Sequence, residues 1–252
     1  MTAEAKWNFR MLCVWVLVGL LVASGLAVRL SVMTAPVRLL LAATFIFTVF
    51  TGVVFLLRIF RTYPATLYTA LFFVALFITW AILGTKPPDV DMLQDIYVRR
   101  LGAFEGVQYA KGGETHGGID CSGLARVPMW QAMLNEGVRE MNPRLLGTMF
   151  WRFWWRDMGA LDILNGKHGY TSIVGHAEKL AGYNPYELQK GDLAIPDQGE
   201  HVLIYIGDGK WIEANPDDGK VVVNEATADS KRHYFNTPVT ILRWWILEEE
   251  EE

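Results

Sequence analysis

Cysteine is nearly absent from this chain: 252 residues hold two, Cys13 and Cys121, and Cys13 sits inside an uncharged apolar run. A disulfide framework in the more polar part is thereby excluded, and a lone thiol is compatible with either redox compartment. Acids are nearly absent from residues 1–85, where Glu4 stands alone against Lys6, Arg10, Arg29, Arg38, Arg58 and Arg61. Residues 86–252 reverse the balance, with 17 Lys+Arg against 26 Asp+Glu. No basic stripe runs through them, which argues against a nucleic-acid partner. Metal-ligand spacing is missing as well, because His168, His176 and His233 have no cysteine or acid at the required intervals. No metal or other cofactor is expected, and no internal repeat is visible.

What is present is apolar. Hydrophobic residues make up 52% of the chain and charged ones 20%, a blend that suits a protein partly in lipid. Three uncharged runs, about residues 11–28, 39–57 and 64–84, each approach the ~20 residues that cross a ~30 Å hydrocarbon layer as helix. They are expected to be three transmembrane helices forming an anchor over residues 1–85. The first run is followed at once by two of equal strength, so it does not read as a cleaved signal peptide. Lys6, Arg10, Arg58 and Arg61 fall on one side of the spans and Arg29, Arg38 and Lys86 on the other, so charge barely selects a direction.

Thr85-Lys86-Pro87-Pro88-Asp89 is a short stiff linker into a second domain, residues 86–252. Asp89 or Asp91 caps a helix expected to run to about Leu101. Val202 to Ile206, Gly207-Asp208-Gly209 and Lys210-Trp211-Ile212 read as a hairpin; Val221 to Val223 and Val239 to Trp245 read as further strands. The terminal glutamates Glu248 to Glu252 read as a solvated tail.

A thiol attacks a carbonyl as thiolate, so a nucleophilic cysteine gains from a helix N-terminus and a histidine to take its proton. Tyr109-Ala110-Lys111-Gly112-Gly113 followed by Ile119-Asp120-Cys121-Ser122-Gly123-Leu124 offers the first: glycines for a tight loop, Asp120 as cap, Cys121 in the first turn. A depressed thiol pKa is the expectation. Pro128 is expected to kink the helix that follows. Gly191-Asp192-Leu193 leads to Glu200-His201-Val202, with Glu213 on the returning strand. Side chains alternate along a strand, so His201 and Glu213 share a face only if the hairpin connection holds an odd number of residues. A three-residue loop with Gly209 left-handed pairs Leu203 with Glu213 and His201 with Asn215, placing Glu213 diagonal to His201 and leaving Asn215 as a substitute.

These residues resemble the NlpC family of bacterial cell-wall cysteine peptidases, over roughly residues 95–225. The tyrosine and paired glycines before Asp-Cys-Ser-Gly, then Gly-Asp-Leu, then a histidine opening a Gly-Asp-Gly hairpin carry the likeness. The resemblance implies an α+β, papain-like fold, an antiparallel sheet with a catalytic helix, here preceded by the three transmembrane helices. It implies Cys121 as nucleophile, His201 as base, Glu213 in the third polar position and Tyr109 close to the nucleophile; Asp120, Ser122 and Asn215 support them. The third residue in the family is usually histidine, sometimes asparagine or glutamine, so Glu213 departs from the pattern, as does Lys111 before the glycines.

The implied substrate is the peptide of peptidoglycan, typically the amide joining D-glutamate through its γ-carboxyl to a diamino acid. A lipid bilayer is the other expected partner. The expected location is the bacterial inner membrane, multi-pass, with the catalytic domain on the periplasmic or exterior side. Two other functions suit parts of the sequence: a membrane-tethered thiol amidase or acyltransferase acting on lipid or another acyl group, and an inactive cell-wall-binding module. Cys121 precedes His201, the order of the peptide-acting relatives. Phe150-Trp151-Arg152-Phe153-Trp154-Trp155-Arg156 fits a membrane interface, a substrate cleft or a core. His116 reads as a solvated residue of the nucleophile loop, and Asp217-Asp218-Gly219 as a turn.

Overall fold

The computed structural model describes residues 35–62, 64–83, 86–154, 158–183 and 187–248, together with Val18, Gly19 and Val22. The first expected span, 11–28, lies outside the described residues save for those three, as do Trp155, Arg156 and the last four glutamates. The chain divides into two units, Met1–Leu83 and Gly84–Glu252.

The first unit contains α1 (Ala35–Thr62, 28 residues) and α2 (Pro64–Leu83, 20 residues). Pro64 opens α2 at the position where its missing N–H has no helical partner to lose. In α1 the hydroxyls of Thr44, Thr48 and Thr51 each donate to the carbonyl four residues back at 2.8 Å, which satisfies polar side chains inside an apolar helix. Among the described residues no helix is long and apolar enough to cross a membrane, so the expected three-span anchor is not supported here.

The second unit is α+β around an antiparallel sheet, as expected. It opens with α3 (Val90–Gly102), capped by Asp89, whose Oδ1 accepts from the Met92 N–H at 3.0 Å. Leu93, Ile96, Tyr97 and Leu101, spaced at helical intervals, form its buried face. A two-residue ribbon, β1 (Glu114–Thr115) and β2 (Gly118–Ile119), precedes the long α4 (Cys121–Arg139). α4 stays one helix through Pro128, where a kink was expected. Short helices α5 (Pro143–Thr148) and α6 (Ala160–Leu164) flank a π-helical turn at Met149–Trp154.

Six strands follow: β3 (Thr171–Ala177), β4 (Leu193–Pro196), β5 (Leu203–Gly207), β6 (Lys210–Asn215), β7 (Lys220–Glu225) and β8 (Val239–Trp244). They pair antiparallel in the order β3-β8-β4-β5-β6-β7. α4 packs against α3 on one side and reaches β5 and β6 on the other, so the helix carrying Cys121 meets the hairpin that follows His201. The core is buried between them: Leu124, Ala125, Met129, Ile204, Ile212 and Ala214 are all inaccessible.

Two polar connections lock this arrangement. The Tyr97 hydroxyl donates to the Ala125 carbonyl at 3.0 Å and accepts from Trp244 Nε1 at 3.3 Å, joining α3, α4 and β8 at one buried point. Asp192, just before β4, takes two bonds from Arg243 of β8, at 2.7 and 2.8 Å. That bidentate pair explains the aspartate of Gly191-Asp192-Leu193 as a strand clamp. The aromatic segment is divided: Phe153 is core, packed on Tyr170 and Trp244, while exposed Arg152 lies over the rings of Trp245 and Tyr170 at 4.9 and 5.7 Å.

Candidate active site

Asp120 is the N-cap of α4. Its Oδ1 accepts from the Gly123 N–H at 2.6 Å and from the Ser122 hydroxyl at 3.0 Å, and its Oδ2 accepts from the Gly112 N–H at 2.7 Å. One carboxylate thus ties the glycine loop to the start of the helix. The two glycine motifs press on each other, because a Cβ on Gly123 would collide with the Gly113 carbonyl oxygen. Gly112, at φ +71°, makes the turn that brings the loop there. The Ser122 hydroxyl serves the cap.

Cys121 lies in the first turn of α4 with 8% of its surface accessible. The backbone of Val202, and of Ser122 and Cys121 in the first turn, favours the anion. It does not win. Burial pushes the thiol up to about 12, and the neighbouring Asp120 carboxylate adds to the rise. The expected depressed pKa is therefore not found: burial outweighs the backbone groups that favour the anion, and the carboxylate that caps the helix adds to the rise. The Val202 contact also fixes the nucleophile beside the residue that follows His201.

His201 and Glu213 are both 1% accessible, and Nε2 of the imidazole lies 2.8 Å from Glu213 Oε2. A carboxylate accepts, so that nitrogen carries the proton and Nδ1 is left as the basic atom. The register is the expected one: Ile204 pairs with Ile212, and continuing the ladder puts Leu203 across from Glu213 and His201 across from Asn215. The odd parity has a different origin from the expected three-residue loop. Asp208 and Gly209, at φ +54° and +72°, form a two-residue turn, and the extra residue is a bulge between Tyr205 and Gly207.

Asn215 serves Glu213 rather than replacing it, donating its Nδ2 to Glu213 Oε2 at 3.1 Å. Tyr109, partly buried, sits close enough to Cys121, Asp120 and Tyr234 that their negative charges, after burial itself, raise its hydroxyl pKa. His116 is exposed in the turn between β1 and β2, with its ring 4.1 Å from that of Phe104.

Three residues around this site were not singled out from the sequence. Asn224 of β7 donates to Glu213 Oε1 at 3.1 Å. Arg232 Nη1 lies 3.5 Å from the same oxygen and 2.7 Å from Asp218 Oδ2. Tyr234 stacks on the His201 ring, with centroids 4.1 Å apart and planes at 15°. An asparagine directly after the valine run of β7 was a signal that could have been used. Arg232 and Tyr234 lie in a loop without local pattern, and only the folded chain brings them back. Among the described residues no cluster of histidine, cysteine and acids could hold a metal ion.

A family model described as the NlpC/P60 family matches residues 106–239. Among curated proteins, the peptidoglycan endopeptidase RipB of Mycobacterium tuberculosis, strain H37Rv, is 29% identical over 142 residues, covering 50% of this chain and 45% of that protein. The chain thus spans under half the length of this curated relative. Among solved structures, an NlpC/P60 family protein from Bacillus cereus is 21% identical, with a TM-score of 0.38 over 63% of this chain and 41% of that one. The structure of RipB from M. tuberculosis is 24% identical, with a TM-score of 0.36 over 60% and 65%.

Proposed function

The chain belongs to the NlpC/P60 family, a family of cysteine peptidases, and on that premise we propose that it hydrolyses an amide bond in the stem peptide of peptidoglycan, of the γ-D-glutamyl-diamino acid type. The observation that carries this reading is a buried cysteine in the first turn of a capped helix, beside the Val202 backbone, together with His201, the residue before Val202, whose Nε2 lies 2.8 Å from a buried carboxylate, leaving Nδ1 to act as base. RipB, a peptidoglycan endopeptidase by name, supplies the substrate class by similarity.

The chemistry follows from which atoms are free. A thiol whose proton is held to about 12 starts the reaction neutral. Its proton passes to His201 Nδ1 as the sulfur attacks the carbonyl carbon, and Glu213 stabilises the imidazolium that forms. In this reading the oxyanion is held by backbone N–H at the start of α4. His201 then gives the proton to the leaving amine, the C–N bond breaks, and a thioester remains on Cys121. Water attacks the thioester, His201 takes the water's proton, and the thiol is restored as the acid departs.

Membrane attachment belongs to the same proposal, with the catalytic unit outside the inner membrane. Its support is exposure: Phe45, Phe50, Leu71, Phe72, Phe73 and Phe77 are open in the first unit, and successive residues of α2 place them on every face. A helix that is apolar all round suits lipid.

The test is mass analysis of muropeptides incubated with the full chain and with its Cys121→Ala variant. New fragments split at the D-glutamyl amide, present with the first protein and absent with the second, are the expected result. Unchanged muropeptides with both would overturn the reading.

A further inference from the structure

A carboxylate buried to 1% beside a base is a hazard as well as a help, because an unbalanced negative charge keeps the imidazole protonated and useless for taking a thiol proton. Glu213 is not left unbalanced. Its Oε2 receives His201 and Asn215, and its Oε1 receives Asn224 and the guanidinium of Arg232. Arg232 is itself anchored, by Asp218 at 2.7 Å and by its own carbonyl, which accepts from Asn236 Nδ2 at 2.9 Å.

We propose that Arg232 is a positioning residue of the catalytic site, one that neutralises the outer oxygen of Glu213 so that the inner oxygen orients His201 without holding it in the charged form. This deepens the proposed function and rests on His201 being the base. Tyr234, two residues on in the same connection between β7 and β8, stacks on the imidazole, so one loop braces both members of the pair. Arg232 is 32% accessible and does not touch the reacting atoms in this arrangement; it acts through Glu213.

The groups that face the pair are few. Glu213 meets His201, Arg232, the two neutral asparagine amides and the charge field of Tyr234. His201 meets Glu213 and the Tyr234 ring, and its neighbour Val202 bonds to Cys121. Glu200 and Asp217 act on Tyr234, and Asp218 on Arg232. Arg232 is the cation paired with Glu213, so removing it changes the balance with one sign.

The experiment compares the full chain with Arg232→Gln, Arg232→Lys, Glu213→Gln and the double variant Arg232→Gln/Glu213→Gln. In Arg232→Gln the acid limb of kcat/KM against pH moves up. Turnover at neutral pH falls by well under the ~10²–10⁴-fold worth of a general base, and the deficit closes as pH rises. KM stays near the wild-type value, and Arg232→Lys restores the limb. In the Glu213→Gln background the second substitution moves the limb little. Nitrogen-15 NMR of the His201 ring, which needs no substrate, must show the imidazole keeping its proton to higher pH in Arg232→Gln than in the wild type. If wild type and variants leave muropeptides intact but the NMR difference is present, the substrate reading falls and this inference stands. An unmoved His201 titration, or a change in KM alone that persists in the Glu213→Gln background, would overturn it and assign Arg232 to substrate contact.

Discussion

A thiol enclosed to 8% of its surface and set against the Asp120 carboxylate does not rest as an anion. Iodoacetamide reacts with the thiolate, so labelling of Cys121 is expected to climb steadily with pH through and beyond the ~8.5 of a free cysteine. Asp120→Asn keeps a residue that caps helices well and removes the second cause of the rise, so it should label faster at any given pH. A rate already level at neutral pH would show a preformed thiolate and contradict the concerted proton transfer. At the other end of the pair, Glu213→Ala leaves His201, Asn215, Asn224 and Arg232 without their common acceptor. Turnover is expected to fall ~10²–10⁴-fold, as when the orienting carboxylate of a catalytic histidine is lost. Asn215→Ala, which removes one donor to Glu213, should cost far less. The reverse ranking in a kinetic comparison would mean that Asn215 orients the ring.

At the scale of elements, the junction of α3, α4 and β8 rests on one hydroxyl. Tyr97→Phe leaves the Trp244 indole N–H unpaired in a dry interior and takes a second donor from the Ala125 carbonyl, which costs about 1–3 kcal/mol for the orphaned N–H. Urea unfolding should show a lower midpoint with an unchanged slope; an unchanged midpoint would mean that the hydroxyl bonds are worth no more than packing. Nothing local in the sequence announces this junction, because residues 97, 125 and 244 meet only in the fold. What was legible was local. Asp89 and Asp120 as caps, the glycines around Cys121, and the register of β5 on β6 all follow from neighbours in sequence. The bulge that supplies the parity was not legible, since either a three-residue loop or a two-residue turn with a bulge satisfies the same count. Arg232 and Tyr234 were illegible for the reason Tyr97 was: the loop that bears them has no periodicity, and its meaning depends on Glu213 and His201, far back in the chain.

At the scale of the whole molecule, an apolar first unit and an acidic second one carry opposite preferences for lipid and water. The sequence alone reads as three spans, at about 11–28, 39–57 and 64–84, an odd number that would put the two ends of the chain on opposite sides, although among the described residues no helix is long and apolar enough to cross a membrane. Peptidoglycan lies outside the inner membrane, so the proposed activity requires the unit from Gly84 onward to be exported. Charge does not oppose this, because Lys and Arg are divided almost evenly between the two sides of the spans. Fusion of a reporter after Glu252 reads the outcome directly. Alkaline phosphatase, which works only when exported, should be active in that fusion, and green fluorescent protein at the same junction should stay dark. The protein should sediment with membranes and resist extraction by high salt, since burial of apolar surface is not screened by ions while surface charge attraction is. A fluorescent fusion with silent phosphatase would keep Cys121 on the inner side, where mature peptidoglycan is absent, and would leave an acyl or peptide substrate at the inner leaflet as the bond for Cys121 to break.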